Sequence, residues 1–265
     1  MRTLKLTIAY EGTRYAGWQI QKGEGQGARG RGRGTKRTVQ GTLEQILRRI
    51  LRHPVRVLGS GRTDAGVHAL AQVAHMTTRS MIPCDRLRRS VNQLLPEDIV
   101  VSSVEEIHGR FHARFDASRK QYRYRIVTGP VVTPFVRRYA HHVPVPLNLA
   151  RMRRETASLL GRHDFRSFAK SRHDGRSTAR TIVRAALCRR GDELHLDVEG
   201  DGFLHTMVRS IAGTLIDIGR GRLPEGTMQR LLRSPSRALA GATAPARGLT
   251  LMGVIYQRSR RQEFF

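Results

Sequence analysis

Apolar and polar residues alternate at the start of the chain, as they do in a half-buried β-strand. The apolar positions are Leu4, Leu6, Ile8 and Tyr10. The spacing of apolar residues over 39–50 predicts a helix, and Thr38 is placed to cap its N-terminus. Val55–Leu58 is a short candidate strand. A second helix is predicted from Asp85, and the pattern of Ile99–Ile107 predicts another strand.

The pattern restarts near Gly109. Its predicted elements are a strand at Gln121–Val127, a helix from Asn148 through Leu160, a strand at Leu194–Val198, a helix after Gly202 and a strand at Leu249–Tyr256. Neither half shows regular β-α-β alternation. The sequence therefore favours two α+β domains, 1–109 and 110–265, each with a sheet and helices on one face.

One segment, 23–37, departs from both patterns. It contains six glycines, four arginines, one lysine and one glutamate, and Ala28 is its only apolar residue. Such a composition cannot bury a core, so the sequence predicts a flexible basic insertion.

Charge changes the picture most. The 265 residues include 48 Lys and Arg against 21 Asp and Glu, a net charge of +27 with a sequence pI near 11.6. This surplus attracts polyanions, and nucleic acid is the expected partner. Charge does not distinguish RNA from DNA, or an enzyme from a passive binding protein.

Cysteine and hydropathy patterns exclude other classes. Cys84 and Cys188 are far apart, which excludes a disulfide framework and a cysteine zinc site. None of the 11 histidines has a spacing typical of a metal site. No signal peptide or long apolar stretch is visible, so we expect a cytoplasmic protein without a membrane span.

The turn at 59–66 is the candidate chemical site. Gly61 and Gly66 have the spacing of a phosphate-binding loop, but Val67-His68 replaces the lysine and hydroxyl residue that such a loop needs. What remains is Asp64 beside Arg62 on a glycine-flanked turn. Alone, that aspartate could simply bond nearby backbone N–H groups.

The residues around this turn resemble a known family. Gly61-Arg62-Thr63-Asp64-Ala65-Gly66-Val67-His68-Ala69 is similar to the catalytic signature of the tRNA pseudouridine synthase A family. Further ordered similarities lie at 9–13 with 17–19, at 38–44, at 111–115 with 120–124, at 202–209 and at 243–249.

The resemblance implies two ferredoxin-like, RRM-like domains with a catalytic cleft between them. It implies an isomerase that converts uridine to pseudouridine at positions 38–40 of the tRNA anticodon stem-loop, acting as a homodimer without a metal or other cofactor. Two features depart from the family pattern: the insertion 23–37, and Thr206 where the third motif has histidine or asparagine.

Residue by residue, the resemblance makes Asp64 the nucleophile and Arg209 the arginine that pairs with it. Tyr122 matches the tyrosine that contacts the target base, and Arg62 an arginine that occupies the space of the flipped nucleotide. Leu249 and Phe203 are either core residues or walls of the substrate pocket. His68 is interpreted as a structural turn residue.

The chemistry agrees with a single carboxylate. A glycoside hydrolase usually needs a second carboxylate to handle water, whereas here the detached uracil must rejoin the sugar. Two alternatives remain at this stage: a non-catalytic basic RNA-binding protein of the α+β class, and a nucleotide-processing hydrolase, for which the expected metal ligands are not visible in the sequence.

Overall fold

The computed structural model describes residues 1–20, 37–170 and 177–256. The predicted insertion 23–37 lies outside the described residues except for Arg37. The chain divides into two compact units. The first comprises Met1–Ser118 and the segment that begins at Gly253, and the second comprises Arg119–Met252.

The first unit is ferredoxin-like. Its described elements are β1 (Arg2–Tyr10), α1 (Val39–Leu51), β2 (Leu58–Gly59), β3 (His68–Thr78), α2 (Cys84–Leu94) and β4 (Ile99–Ile107). The strands pair in the order β4-β1-β3-β2, and each pair is antiparallel. This order, with β-α-β-β-α-β along the chain, defines the ferredoxin-like pattern.

The core of the first unit follows the predicted periodicities. Leu4, Leu6 and Ile8 on β1 are fully buried, as their alternation predicts. Thr38 caps α1, where its hydroxyl oxygen accepts a hydrogen bond from the Gly41 amide at 3.2 Å. The buried stripe of α1 includes Leu43, which has no exposed surface.

The second unit repeats the same order of elements. They are β5 (Ala117–Thr128), α3 (Pro134–Arg137), β6 (His141–Val143), α4 (Leu149–Ala157), β7 (Gly161–Asp164), β8 (Ala179–Arg190), β9 (Glu193–Gly200), α5 (Met207–Gly219), α6 (Thr227–Arg233) and β10 (Leu249–Tyr256). The strands follow the order β10-β5-β9-β8-β7, and β6 lies parallel to β5. Thus β5-α4-β8-β9-α5-β10 is again β-α-β-β-α-β, and the α+β class is confirmed in both units.

The division between the units differs from the predicted one at 109/110. The segment after Gly109 stays with the first unit, and so does the end of β10. The reason is local packing: the Tyr256 hydroxyl donates to the Ala113 carbonyl at 2.7 Å, and the rings of Phe111 and Tyr256 lie 5.2 Å apart.

Three local predictions need correction. Pro83, not Asp85, precedes the first turn of α2, and Asp85 lies inside the helix with its side chain 85% exposed. The short strand is Leu58–Gly59, because only these residues pair with β3. The helix after Asn148 ends at Ala157, before the predicted Leu160.

The sequence predicts no membrane span, and the lengths and polarity of the helices bear on that expectation. Across residues 1–20, 37–170 and 177–256, each helix is too short or too polar to cross a bilayer.

Candidate active site

The turn that carries Arg62 and Asp64 joins β2 to β3, and backbone hydrogen bonds fix its shape. They run from Trp18 N–H to the Thr63 carbonyl at 3.1 Å, from Gly66 N–H to the Tyr15 carbonyl at 3.3 Å and from Val67 N–H to the Asp64 carbonyl at 3.2 Å. Two of the three bonds involve the segment that follows β1. The segment that follows β1 therefore packs against one side of the turn.

Two glycines make this close approach possible. A β-carbon at Gly12 would overlap the carbonyl oxygen of Val67. Gly17 has a φ of +99°, and a β-carbon there would lie 2.5 Å from the Thr63 carbonyl oxygen. Both positions need glycine, because any side chain would push the aspartate turn away from its support.

Buried polar side chains also fix the turn through hydrogen bonds. The hydroxyl groups of Tyr10 and Thr63 lie 2.8 Å apart. The Gln72 amide donates to the Gly61 carbonyl at 3.1 Å, and its oxygen accepts from the Ser60 hydroxyl at 2.6 Å. Ser60 and Gln72 are fully buried, so their polar atoms find their partners within the protein.

His68 has a structural role, as predicted from its position in the sequence. Its side chain is buried, and Nδ1 accepts a hydrogen bond from the Gly12 amide at 3.0 Å. The neutral ring then carries its proton on Nε2. Glu11 Oε1 lies 3.6 Å from Nδ1. His68 thereby links the start of β3 to the glycine that packs against the turn.

The two charged residues of the turn differ in exposure. Asp64 is half-buried and Arg62 is exposed. The backbone around Asp64 is fixed, while the Arg62 side chain extends into solvent. This combination suits a carboxylate that must be held in position beside a cation that can meet a charged substrate.

In the second unit, Tyr122 and Phe203 form an aromatic pair. Their ring centroids lie 5.0 Å apart at 78°, an edge-to-face arrangement. Tyr122 lies on β5 opposite Val198 of β9 and is 8% exposed. Phe203 follows β9 and is half-buried. The structure therefore joins two of the predicted substrate-binding residues.

Arg209 lies in the first turn of α5 and is tied to the loop before β10. Its Nε donates to the Ala244 carbonyl at 2.9 Å, while its own carbonyl accepts from the Ala244 amide at 3.1 Å. A β-carbon at Gly213, one helical turn further on, would overlap the Ala242 carbonyl oxygen. The loop is thus pressed against the helix, and the guanidinium is positioned by both.

Tyr124 and Arg247 are neighbours of this arrangement that the sequence did not single out as site residues. The Tyr124 hydroxyl donates to the Pro245 carbonyl at 2.8 Å. Burial raises the pKa of this tyrosine well above its ordinary value, while the nearby charges of Arg209 and Arg247 oppose that rise. Arg247 is an unspecified position in the motif at 243–249, so no signal in the sequence distinguishes this arginine.

Thr206, which departs from the family motif, has an unusual backbone. Its φ is +63°, in the left-handed region that costs a β-branched residue free energy. Its hydroxyl oxygen is buried without a hydrogen-bond partner within the described residues. Thr206 makes no side-chain capping bond, but its carbonyl accepts the Ser210 amide at 2.9 Å, so the first turn of α5 still forms its backbone hydrogen bond.

The predicted site residues thus fall into two groups. Arg62 and Asp64 share the turn of the first unit. Tyr122, Phe203, Arg209 and Leu249 belong to the second unit, and Leu249 is 6% exposed at the start of β10. Within the ranges that the structure describes, no three His, Cys, Asp or Glu side chains form a group that could hold a metal ion.

Comparison with known proteins identifies the family of the chain. A family model described as tRNA pseudouridine synthase matches residues 6–116 and 156–257. A tRNA pseudouridine synthase A of Brevibacillus brevis is 41% identical over 256 residues, covering 97% of this chain and 100% of the relative. One from Exiguobacterium sp. is also 41% identical, covering 97% and 99%. One from Halalkalibacterium halodurans is 42% identical over 250 residues, covering 94% and 90%.

The fold and the site together define a class of protein: an α+β enzyme of two units, with an aspartate on a fixed turn. The chain belongs to the tRNA pseudouridine synthase family. The family predicted from the motifs is therefore confirmed, and with it an isomerase that acts on tRNA. A passive RNA-binding protein and a nucleotide hydrolase are not favoured.

Proposed function

We propose that this enzyme converts uridine to pseudouridine at positions 38–40 in the anticodon arm of tRNA, with Asp64 as its nucleophile. The observation that carries the proposal is the immobilisation of the turn around Asp64. Gly12 and Gly17 pack against that turn, and Gln72 bonds to its backbone. A carboxylate on a fixed backbone starts from a defined position, as a catalytic group must.

The reaction needs such a carboxylate because positive charge develops on the ribose. The C1′–N1 bond breaks, the uracil turns, and a C1′–C5 bond forms. C5 loses a proton and N1 gains one, so the product is an isomer of the substrate. Asp64 stabilises the charge or bonds covalently, either at C1′ or at uracil C6. Water has to be kept out, since hydrolysis would release the base.

The other site residues serve the flipped base. A stacked nucleotide cannot reach the carboxylate, so it must leave the helix. The exposed Arg62 side chain fills the space that the nucleotide vacates. Tyr122 presents its ring to the uracil and its hydroxyl to the C5 proton. Phe203 holds the Tyr122 ring edge-to-face, and Leu249 adds an apolar wall.

Arg209 is the proposed cationic partner of the reacting carboxylate. A guanidinium pairs with a carboxylate through charge-assisted hydrogen bonds, which are stronger and more directional than neutral ones. The Nε bond to Ala244 restrains one edge of the guanidinium, which limits the rotation of its other N–H groups. The role assigned to Arg209 rests on the motif at 202–209.

The motif resemblance also supports a homodimer that works in the cytoplasm. Light scattering tests the first point: a mass of twice the 29.9 kDa chain is expected. A monomer that retains full activity would remove the dimer from the proposal.

The experiment uses unmodified tRNA transcripts with a single anticodon-arm uridine at position 38, 39 or 40. Pseudouridine is mapped after incubation with the wild-type enzyme, and uridines elsewhere in each transcript are internal controls. Pseudouridine in the anticodon arm alone is expected. Modification only outside positions 38–40 would overturn the site specificity, and no modification anywhere would overturn the function.

A further inference from the structure

A stack of rings in the first unit ends on an exposed phenylalanine. The ring centroids of His75 and His112 lie 4.7 Å apart, and those of His112 and Phe115 lie 4.3 Å apart at 33°. Phe115 is 75% exposed, and the Arg114 guanidinium carbon lies 5.8 Å from its ring centroid. Most of the outermost ring therefore meets solvent.

The turn that presents Phe115 is held by its own hydrogen bonds. His112 Nδ1 accepts from the amides of Arg114 and Phe115 at 3.1 and 3.3 Å. The Asp116 carboxylate accepts from the His112 amide at 2.7 Å, and the Asp116 amide donates to the His112 carbonyl at 3.1 Å. These bonds fix the backbone, so the ring projects from a defined position.

The inner end of the stack is anchored in the core of the unit. His75 lies on β3, and its Nδ1 accepts from the amide of the fully buried Ala113 at 3.1 Å. Burial chiefly lowers the pKa of His75, and the nearby His112 contributes to the shift. The same Ala113 receives the Tyr256 hydroxyl at its carbonyl.

The charges around Phe115 favour a polyanion. Arg110 and Arg114 are exposed beside the turn, while the carboxylate of Asp116 accepts a backbone hydrogen bond. An exposed aromatic ring flanked by arginines matches the way proteins hold unpaired nucleotides: the base stacks on the ring and the cations meet the phosphates.

The position of the stack separates it from the reacting nucleotide. His75 lies seven residues along β3 from His68, the residue that follows the aspartate turn. At about 3.3 Å per residue, this is roughly 23 Å along the strand. The turn of Asp64 lies between β2 and β3, and Phe115 lies in the segment between β4 and β5. We therefore assign a base on Phe115 to a nucleotide other than the one at Asp64.

We propose that Phe115, backed by His112 and flanked by Arg114, stacks on an unpaired nucleobase of the RNA substrate away from the reacting uridine. The identity of that RNA as tRNA rests on the proposed function. Phe115 adds affinity by stacking, while Arg114 adds an ionic contact with a phosphate.

The test measures binding of unmodified tRNA to Asp64→Asn protein, a background that needs no turnover. Adding Phe115→Ala should weaken binding about 5- to 150-fold, the range that loss of one base–aromatic stack gives. Phe115→Trp should retain affinity, and Phe115→Leu should fail to restore it. The matched control is Phe135→Ala, since Phe135 is 89% exposed and no aromatic ring packs against it within the described ranges. That control should bind like the background.

Salt dependence separates stacking from charge. Phe115→Ala should leave the slope of log K against log salt unchanged, while Arg114→Gln should reduce it by roughly 0.7 to 0.9. Binding by Phe115→Ala as tight as by the Phe135→Ala control would overturn the proposal, and so would full recovery with leucine. A change of oligomeric state in light scattering would instead make Phe115 a contact between copies. These failures leave pseudouridine formation by the wild type intact, whereas failure of the proposed function would appear as its absence.

Discussion

Arg209 and Ala244 exchange two hydrogen bonds in opposite directions. The Arg209 side chain donates to the Ala244 carbonyl at 2.9 Å, and the Ala244 amide donates to the Arg209 carbonyl at 3.1 Å. Arg209 lies in the first turn of α5, and Ala244 lies in the loop before β10. The position of the guanidinium thus depends on the loop as well as on its own helix.

Arg209→Lys should therefore lose activity although it keeps the charge. A lysine ammonium cannot reproduce the planar fork of the guanidinium, so it cannot keep the bond to Ala244 and also make the carboxylate pairing proposed for Arg209. We expect a loss of about 10- to 150-fold in the single-turnover rate, as for a hydrogen bond to a charged group. Arg230→Lys, an exposed arginine on α6, is the control. Equal rates for the two variants would contradict the role of Arg209.

Tyr122→Phe should bind tRNA normally and turn over slowly. The ring and its contact with Phe203 remain, but the hydroxyl proposed to handle the C5 proton is gone, and loss of such a group costs about 10²- to 10⁴-fold. Release of tritium from C5-labelled uridine in tRNA measures this step. Tyr122→Ala should lose binding of the base as well. Full activity in Tyr122→Ala would mean that Tyr122 has a purely structural role. The control is Tyr139→Phe, which removes a hydroxyl elsewhere in the same unit.

Gly17→Ala should damage the aspartate turn more than a matched glycine replacement does. Gly17 and Gly129 both have positive φ, at +99° and +110°, so alanine is strained at either position. Only at Gly17 does the new methyl group also meet a backbone atom, the Thr63 carbonyl oxygen at 2.5 Å. A shift of about 1 Å in a catalytic group can cost about 100-fold in rate. We expect such a loss for Gly17→Ala and near-normal activity for Gly129→Ala; equal activities would mean that the turn tolerates displacement.

Glu193→Gln should lower the melting temperature in a pH-dependent way. The Arg125 guanidinium forms two hydrogen bonds with this carboxylate, and His195 Nε2 lies 2.8 Å from it. Arg125 chiefly, with His195 contributing and burial opposing, lowers the pKa of Glu193 from 4.5 to about 2. Because the pKa is lower in the folded state, the stabilisation is complete above pH 4.5 and disappears as the pH falls towards 2. The difference between wild type and variant should be largest at neutral pH and shrink across that window. An offset that stays constant from pH 7 to pH 2 would exclude the ionised pair as its source, and Glu97→Gln provides an exposed control.

Much of the fold could be predicted where one face of a helix or strand is buried and the other is exposed to solvent. The strand Ile99–Ile107 and the strand Leu249–Tyr256 have their predicted bounds. The strand His68–Thr78 was not predicted, because a continuous run within it, 72–76, is buried, including polar Gln72 and His75, and so lacks alternation. The strand Ala179–Arg190 was also missed, since its apolar residues come in the adjacent runs Ile182-Val183 and Ala185-Ala186-Leu187 and do not alternate with polar ones.

The site could be predicted only as far as its motifs reach. Asp64 stands out in the sequence because glycines flank it. The importance of Gly12 and Gly17 could not be predicted, since it arises from contacts with residues about fifty positions away. The same holds for Ala244, whose partner Arg209 is 35 residues distant in the chain.

The central claim is that the Asp64 carboxylate performs the chemistry, and Asp64→Asn tests it most directly. The amide keeps the shape of the side chain but removes its charge and nucleophile. The measurement is single-turnover pseudouridine formation at saturating tRNA, with Asp85→Asn as the control because the Asp85 side chain is 85% exposed on α2. We predict no product above the enzyme-free background for Asp64→Asn, with tRNA binding retained and with the wild-type rate in Asp85→Asn. Pseudouridine formed by Asp64→Asn above that background would contradict the assignment.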